Sequence, residues 1–151
     1  EIDPASDISE VGWSAAMNQL NCAVALAQVP SLTGRLQATR ANAARLGRLV
    51  AGMPGLSVVQ PRAGTEPAYW GLLILTAERD AVLAGLKRDG VMASKLHHRI
   101  DRYSGFGVGP VDLPGTEAFL ERVIALPCGH WLDEAALLQI AQSLDRALRS
   151  S

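Results

Sequence analysis

Two rhythms of apolar and polar positions run along this chain, one at helical spacing and one in short apolar blocks. From about Ala15, Met17, Leu20, Val24 and Ala27 recur at steps of three and four, with Ala23 beside them, which predicts a helix. No charged residue occurs from Val11 to Gly34, so that helix is expected to be buried on most sides. Pro30 is expected to interrupt it, and Pro30-Ser31 to start a second helix. Leu32, Leu36, Ala43, Leu46 and Val50 form the second helix's apolar stripe. Arg35, Arg40, Arg45 and Arg48 fall mostly off that stripe, as a solvated basic face would, and Met53-Pro54-Gly55 closes the element.

Short blocks follow. Leu56 to Gln60 predicts a short strand, and Tyr69 to Thr76 a stronger one with the aromatic and β-branched character of a central position. Glu78 to Arg88 reads as a helix, capped by Thr76 and stopped by Asp89-Gly90. Val91 to Leu96 is a third strand candidate. A loop rich in Gly and Pro runs from Ser104 to Gly115. Thr116 then caps a short helix with Glu117 in its first turn, and Val123 to Leu126 runs extended into Pro127. Leu132-Asp133-Glu134 opens a last amphipathic helix with Leu137, Ile140, Leu144 and Leu148 on one face. This order is not a βαβ series. It predicts an α+β fold, a small, mostly antiparallel sheet with helices against one face, formed as a single domain behind an acidic lead-in at residues 1–11.

Composition narrows the function classes. The 151 residues are 48% apolar and 19% charged, with a formal net charge of -1. That is too apolar for a disordered tail and too neutral for binding nucleic acid by neutralising phosphates. With 5% aromatic residues, stacking platforms for single strands are also not expected. There is no basic-plus-apolar signal peptide, and the uncharged run to Gly34 is too polar and broken to span a bilayer. A cytoplasmic protein with no membrane partner is therefore expected. Cys22 and Cys128 fall outside any metal-ligand spacing and read as two buried thiols in a reducing compartment. Glu1 in place of Met points to an upstream part.

Candidate chemistry concentrates in one place. Gly105-Phe106-Gly107-Val108-Gly109-Pro110 looks superficially like a phosphate loop, but Pro110 and Asp112 follow it where a helix start is needed. His97 and His98 are adjacent, and on a regular strand they point to opposite faces, so no metal site is expected. No G-x-S-x-G elbow exists for a nucleophilic serine. The segment Lys95 to Phe106 carries Lys95, His97, His98, Arg99, Asp101, Arg102 and Tyr103 directly after a candidate strand. Such a segment is either a solvated loop with local ion pairs or a loop that grips a polar, anionic substrate.

Four stretches in order resemble one known family. They are Gly12-Trp13-Ser14-Ala15-Ala16-Met17 with Cys22-Ala23-Val24-Ala25-Leu26-Ala27-Gln28, then Arg40-Ala41-Asn42-Ala43-Ala44, then His97-His98-Arg99-Ile100-Asp101-Arg102-Tyr103, and lastly Ala125-Leu126-Pro127-Cys128-Gly129-His130-Trp131-Leu132. Together they are similar to motifs of the DegT/DnrJ/EryC1/StrS aminotransferases, which use pyridoxal 5'-phosphate to aminate sugars.

The resemblance implies the C-terminal small domain of a fold-type I enzyme over residues 12–151, with the large cofactor-binding domain and its Schiff-base lysine upstream. It implies a keto-sugar substrate, often nucleotide-linked, an amino-acid donor and a homodimer. Neither Lys87 nor Lys95 stands at the family's lysine position, so the isolated chain is expected to be inactive. The family's Asn that reaches the cofactor phosphate of the neighbouring subunit is Ser14 here, which implies a shorter contact. His97, Arg99 and Asp101 keep the loop pattern and are the implied substrate-side residues. The family's Arg, helix Gly and loop Asn are replaced by Ala16, Ala25 and Ile100. Two rivals stand beside this reading: a catalytically dead binding module derived from the same domain, and a structural domain that packs on another chain through the uncharged helix.

Overall fold

The computed structural model describes residues 17–95, 99, 101 and 111–150. Its contacts divide the chain into two units, residues 1–33 and 34–151. The long helix α1, Gln19–Val50, contributes to both. It is continuous through Pro30, whereas the sequence pattern predicts two helices. A proline removes one backbone donor, here the partner of the Leu26 carbonyl, and on an exposed face water replaces it. The Ser31 hydroxyl donates to the Gln28 carbonyl at 2.9 Å. At the start, the Asn18 side chain accepts from the Asn21 N–H at 2.8 Å, the geometry of a helix cap.

The first-unit part of α1 also departs from expectation in its burial. Leu20, Val24, Leu26, Val29 and Leu32 are all exposed. A lack of charge predicts burial only where something packs against the helix, and among the described residues nothing covers this part. Cys22 is exposed with it, against the expectation of two buried thiols, while Cys128 is buried.

In the second unit Ala43, Leu46 and Val50 of the predicted stripe are buried, Leu36 is half-buried, and Thr39, which the stripe did not include, is buried with them. The sheet has three antiparallel strands in the order β1–β2–β3: β1 Leu56–Val58, β2 Leu72–Thr76 and β3 Val123–Leu126. Leu56 pairs with Thr76, and Leu72 with Leu126. The third strand is thus Val123–Leu126. The Val91 to Leu96 candidate contributes, among its described residues, one bridge from Ser94 to Ala125. Pairing separates the two: β3 forms a four-residue ladder with β2, whereas the earlier segment, although Val91 and Ala93 are buried, touches the sheet only through Ser94 among its described residues. The Gly71 backbone lies so close to β3 that a Cβ there would sit 3.2 Å from the Leu126 carbonyl.

Helix α2, Arg79–Arg88, ends as predicted at Asp89-Gly90, where Gly90 takes φ +77°. Thr76 makes only a long contact from its Oγ1 to the Glu78 N–H, so the predicted cap is displaced toward Glu78. Helix α3, Pro114–Arg122, starts two residues before the predicted Thr116 cap. Proline at a helix start needs no N–H partner, and Leu113 takes the capping position. Helix α4, Glu134–Arg149, starts where Leu132-Asp133-Glu134 predicts, and Asp133 caps it by accepting from the Ala136 N–H at 2.8 Å. Leu46, Ile74, Leu86, Ile124, Leu126 and Leu144 meet in one core. Each such side chain contributes roughly 1.5–3 kcal/mol by leaving water.

Candidate functional site

Within the segment singled out for chemistry, Arg99 is a buried cation that reaches Asp101 beside it and Val111 and Glu117 further along the chain. The Arg99 side chain is only 5% exposed. Its Nε donates to Asp101 Oδ1 at 2.9 Å, and Nη2 bonds both Asp101 Oδ2 and the Val111 carbonyl. Its Nη1 donates to Glu117 Oε1 at 2.5 Å, on the first turn of α3. Asp101 Oδ2 in turn accepts from the Val111 N–H at 3.0 Å. The flanks of the segment 102–110 are therefore joined by both backbone groups of Val111 and by the Arg99–Glu117 ion pair, while the bidentate Arg99–Asp101 pair holds the first flank together. Arg99 and that backbone bond hold the Asp101 carboxyl well below its ordinary range.

This arrangement limits what Arg99 can do. One positive charge is matched by two carboxylates, and four of its N–H directions are spent inside the chain. The described geometry makes Arg99 and Asp101 a clasp between chain segments. Ser14, His97 and His98, and the segment Gly105 to Pro110, lie outside the described residues.

Glu117 was legible in the sequence only as an acid at a helix start. Its pairing with Arg99 spans 18 positions and crosses a loop, so no local periodicity marks it. Arg40 and Asn42 are two further organising residues. Asn42 Nδ2 donates to the Gly129 carbonyl at 2.9 Å and the Leu132 carbonyl at 3.0 Å, tying the β3–α4 turn to α1. At that turn Trp131 lies over Gly129, where a Cβ would meet its ring at 2.2 Å, and His130 sits edge-on to Trp131. The signal available for Asn42 was its place beside the buried Ala43, with the stripe that faces the core.

Lysine placement bears on the cofactor implied by the resemblance. Lys87 is exposed in the last turn of α2. Lys95 is about half exposed, and its Nζ pairs with Asp80 at 2.9 Å. With Arg79 first and Lys95 second as the cause, the Asp80 carboxyl is pulled down to about 2. A lysine that holds a carbonyl cofactor covalently needs a desolvated amine with a depressed pKa. A solvated amine and an ion-paired one do not fit that role, and no step through the cofactor is assigned to this chain. Among the described residues no cluster of three or more His, Cys, Asp or Glu could hold a metal ion. No described helix is long and apolar enough to cross a membrane.

Comparison with known proteins places this arrangement in context. The family model described as "DegT/DnrJ/EryC1/StrS aminotransferase family" matches residues 4–145. Among solved structures, the sugar aminotransferase CalS13 from Micromonospora echinospora is 26% identical. It superposes with a TM-score of 0.84 over 93% of this chain and 38% of its own. AtS13 from Actinomadura melliaura is 27% identical, with a TM-score of 0.85 over 95% of this chain and 38% of its own. PseC from Helicobacter pylori, an aminotransferase involved in the biosynthesis of pseudoaminic acid, is 20% identical and shares the fold. Its TM-score is 0.81 over all of this chain and 43% of its own. The chain thus spans about two fifths of the length of the structures it matches. Comparison with curated proteins gives no match.

Proposed function

Because the chain belongs to the DegT/DnrJ/EryC1/StrS aminotransferase family, we propose that it is the C-terminal small domain of a pyridoxal-phosphate-dependent enzyme that aminates a keto-sugar. The observation that carries the reading is the likeness of nearly the whole chain to a sugar aminotransferase at 26% identity. The substrate is nucleotide-linked, the amino group comes from an amino acid, and the working enzyme is a cytoplasmic homodimer. The cofactor, when bound, supplies the electron sink that lets an amino group move between carbon skeletons.

This chain's own residues act around that chemistry. Ser14 is the residue that would help hold the cofactor phosphate of the neighbouring subunit, by one hydrogen bond from its hydroxyl. His97 is the proposed substrate-side residue, and Arg99 and Asp101 serve by positioning, since their clasp joins Asp101 to Val111 and Glu117 across the segment 102–110. The lysine that carries the cofactor belongs to a large domain outside these residues, so the chain alone does not transaminate. Positioning of this kind matters because reacting groups must be held within about an ångström of productive geometry.

The test is to purify the native gene product, reduce it with borohydride in the presence of pyridoxal phosphate and map the modified lysine. Modification outside these 151 residues, in a product heavier than this chain, is the expected result. Modification of Lys87 or Lys95, or a native product of this chain's mass that stays colourless, would overturn the proposal.

A further inference from the structure

We propose that the concavity at the connection between β1 and β2 is a binding site for a small, flat, uncharged ring. It encloses about 320 Å³, the low end of the range for ligand pockets. Its walls include Gln60 and Pro61 on the outgoing arm, Pro67, Tyr69 and Trp70 on the returning arm, and Leu73 of β2. None of these side chains is charged. An ionic ligand would lose its hydration there without a counter-charge in return. A hexose would leave most of its hydroxyls without partners, because the lining is largely apolar. Two prolines and two aromatic rings offer flat faces instead, and stacking on such faces tolerates any planar ring.

The site is also held in shape before any ligand arrives. One guanidinium clamps the returning arm: Arg40 Nε donates to the Pro67 carbonyl at 3.0 Å, Nη2 to the Glu66 carbonyl at 3.0 Å and Nη1 to Glu66 Oε2 at 2.9 Å. The outgoing arm is fixed by the Val59 N–H on the Leu73 carbonyl at 2.9 Å, and Gln60 Nε2 donates to the Val58 carbonyl. Between them Tyr69 takes φ +53°, a left-handed conformation that a bulky residue adopts only when its surroundings impose it. Tyr69 packs against the core, whereas Trp70 next to it is 74% exposed. A strained, clamped turn that presents an exposed indole beside an anchored phenol has the features of a preorganised stacking site. The proposal does not depend on the aminotransferase reading, since the same ring chemistry comes either from a nucleobase or from a free aromatic metabolite.

Isothermal titration with indole, uridine and glucose tests it, on the protein and on its Trp70→Ala and Arg40→Ala variants, with circular dichroism to confirm folding. Binding of indole and uridine, weakened at least tenfold by Trp70→Ala, supports the site and points to a nucleobase. Binding of indole alone with the same loss supports the site and points to a free aromatic. Arg40→Ala should also weaken binding, although Arg40 is not among the residues lining the pocket, and Arg40→Lys should restore part of the affinity. Three results would overturn the proposal: no binding of either ring, binding unchanged by Trp70→Ala, or glucose binding as well as indole.

Discussion

The two parts of α1 make an instructive pair. Residues 19–33 carry no charge and are rich in Leu, Val and Ala, yet nearly every side chain is exposed. Residues 34–50 carry four arginines, yet Thr39, Ala43, Leu46 and Val50 are buried. Hydrophobic content therefore does not predict burial here. Spacing does: 39, 43, 46 and 50 repeat at four, three and four, one narrow stripe that fits the core of β2, α2 and α4. The arginines point elsewhere and meet specific partners, Arg45 with Glu134 and Arg40 with Glu66. The uncharged part has its apolar residues on all sides, with nothing described against them. Such a large exposed apolar patch ordinarily marks an interaction surface.

Substituting leucines in each part gives the sharpest contrast. Leu46→Ala should lower the unfolding free energy by about 2–5 kcal/mol, because it leaves a cavity in a closed core. Leu20→Ser and Leu26→Ser should each change it by no more than about 0.5 kcal/mol while reducing binding of a hydrophobic dye. Denaturant unfolding and dye titration measure the two effects. Equal losses of stability would mean that residues 19–33 are packed in solution and that the contrast is false.

Glycines sharpen the same point on a smaller scale. A Cβ at Gly85 in α2 would lie 2.7 Å from Ala147 Cβ in α4, so Gly85→Ala should cost about 1–3 kcal/mol by prying the two helices apart. Gly34 in α1 faces open space, and Gly34→Ala should stabilise by about 0.5–1 kcal/mol through helix propensity. Thermal unfolding of both variants decides it, and the same sign for both would break the distinction.

The smallest effect is chemical. Cys22 on the exposed part should alkylate readily. Cys128, whose thiol is pushed up by burial, should stay unmodified until the protein unfolds. Mass spectrometry of iodoacetamide-treated native protein reads both sites at once.

Much of this architecture was legible in residue order. The central strand near Leu72–Thr76, the stop at Asp89-Gly90 and the start of α4 at Leu132-Asp133-Glu134 all rest on interactions within a few positions of each other, and the α+β class follows from the order of such elements. Spacing, turn chemistry and capping therefore report them. Three features were not legible, and each depends on residues distant in the chain. Choosing Val123–Leu126 over Val91–Leu96 as the third strand required knowing which segment β2 would pair with. The fate of the uncharged helix required knowing what packs on it.

The clasp is the clearest case. The sequence leaves Arg99 either in local ion pairs or facing a substrate, because a cluster of charged residues looks the same whether it binds a ligand or itself. Only folding brings Val111 and Glu117 against Arg99 and turns its guanidinium inward. Local order along the chain is set by short-range forces that the residue pattern records. Pairing across the chain is set by which surfaces exclude water together, and the sequence does not list those partners side by side.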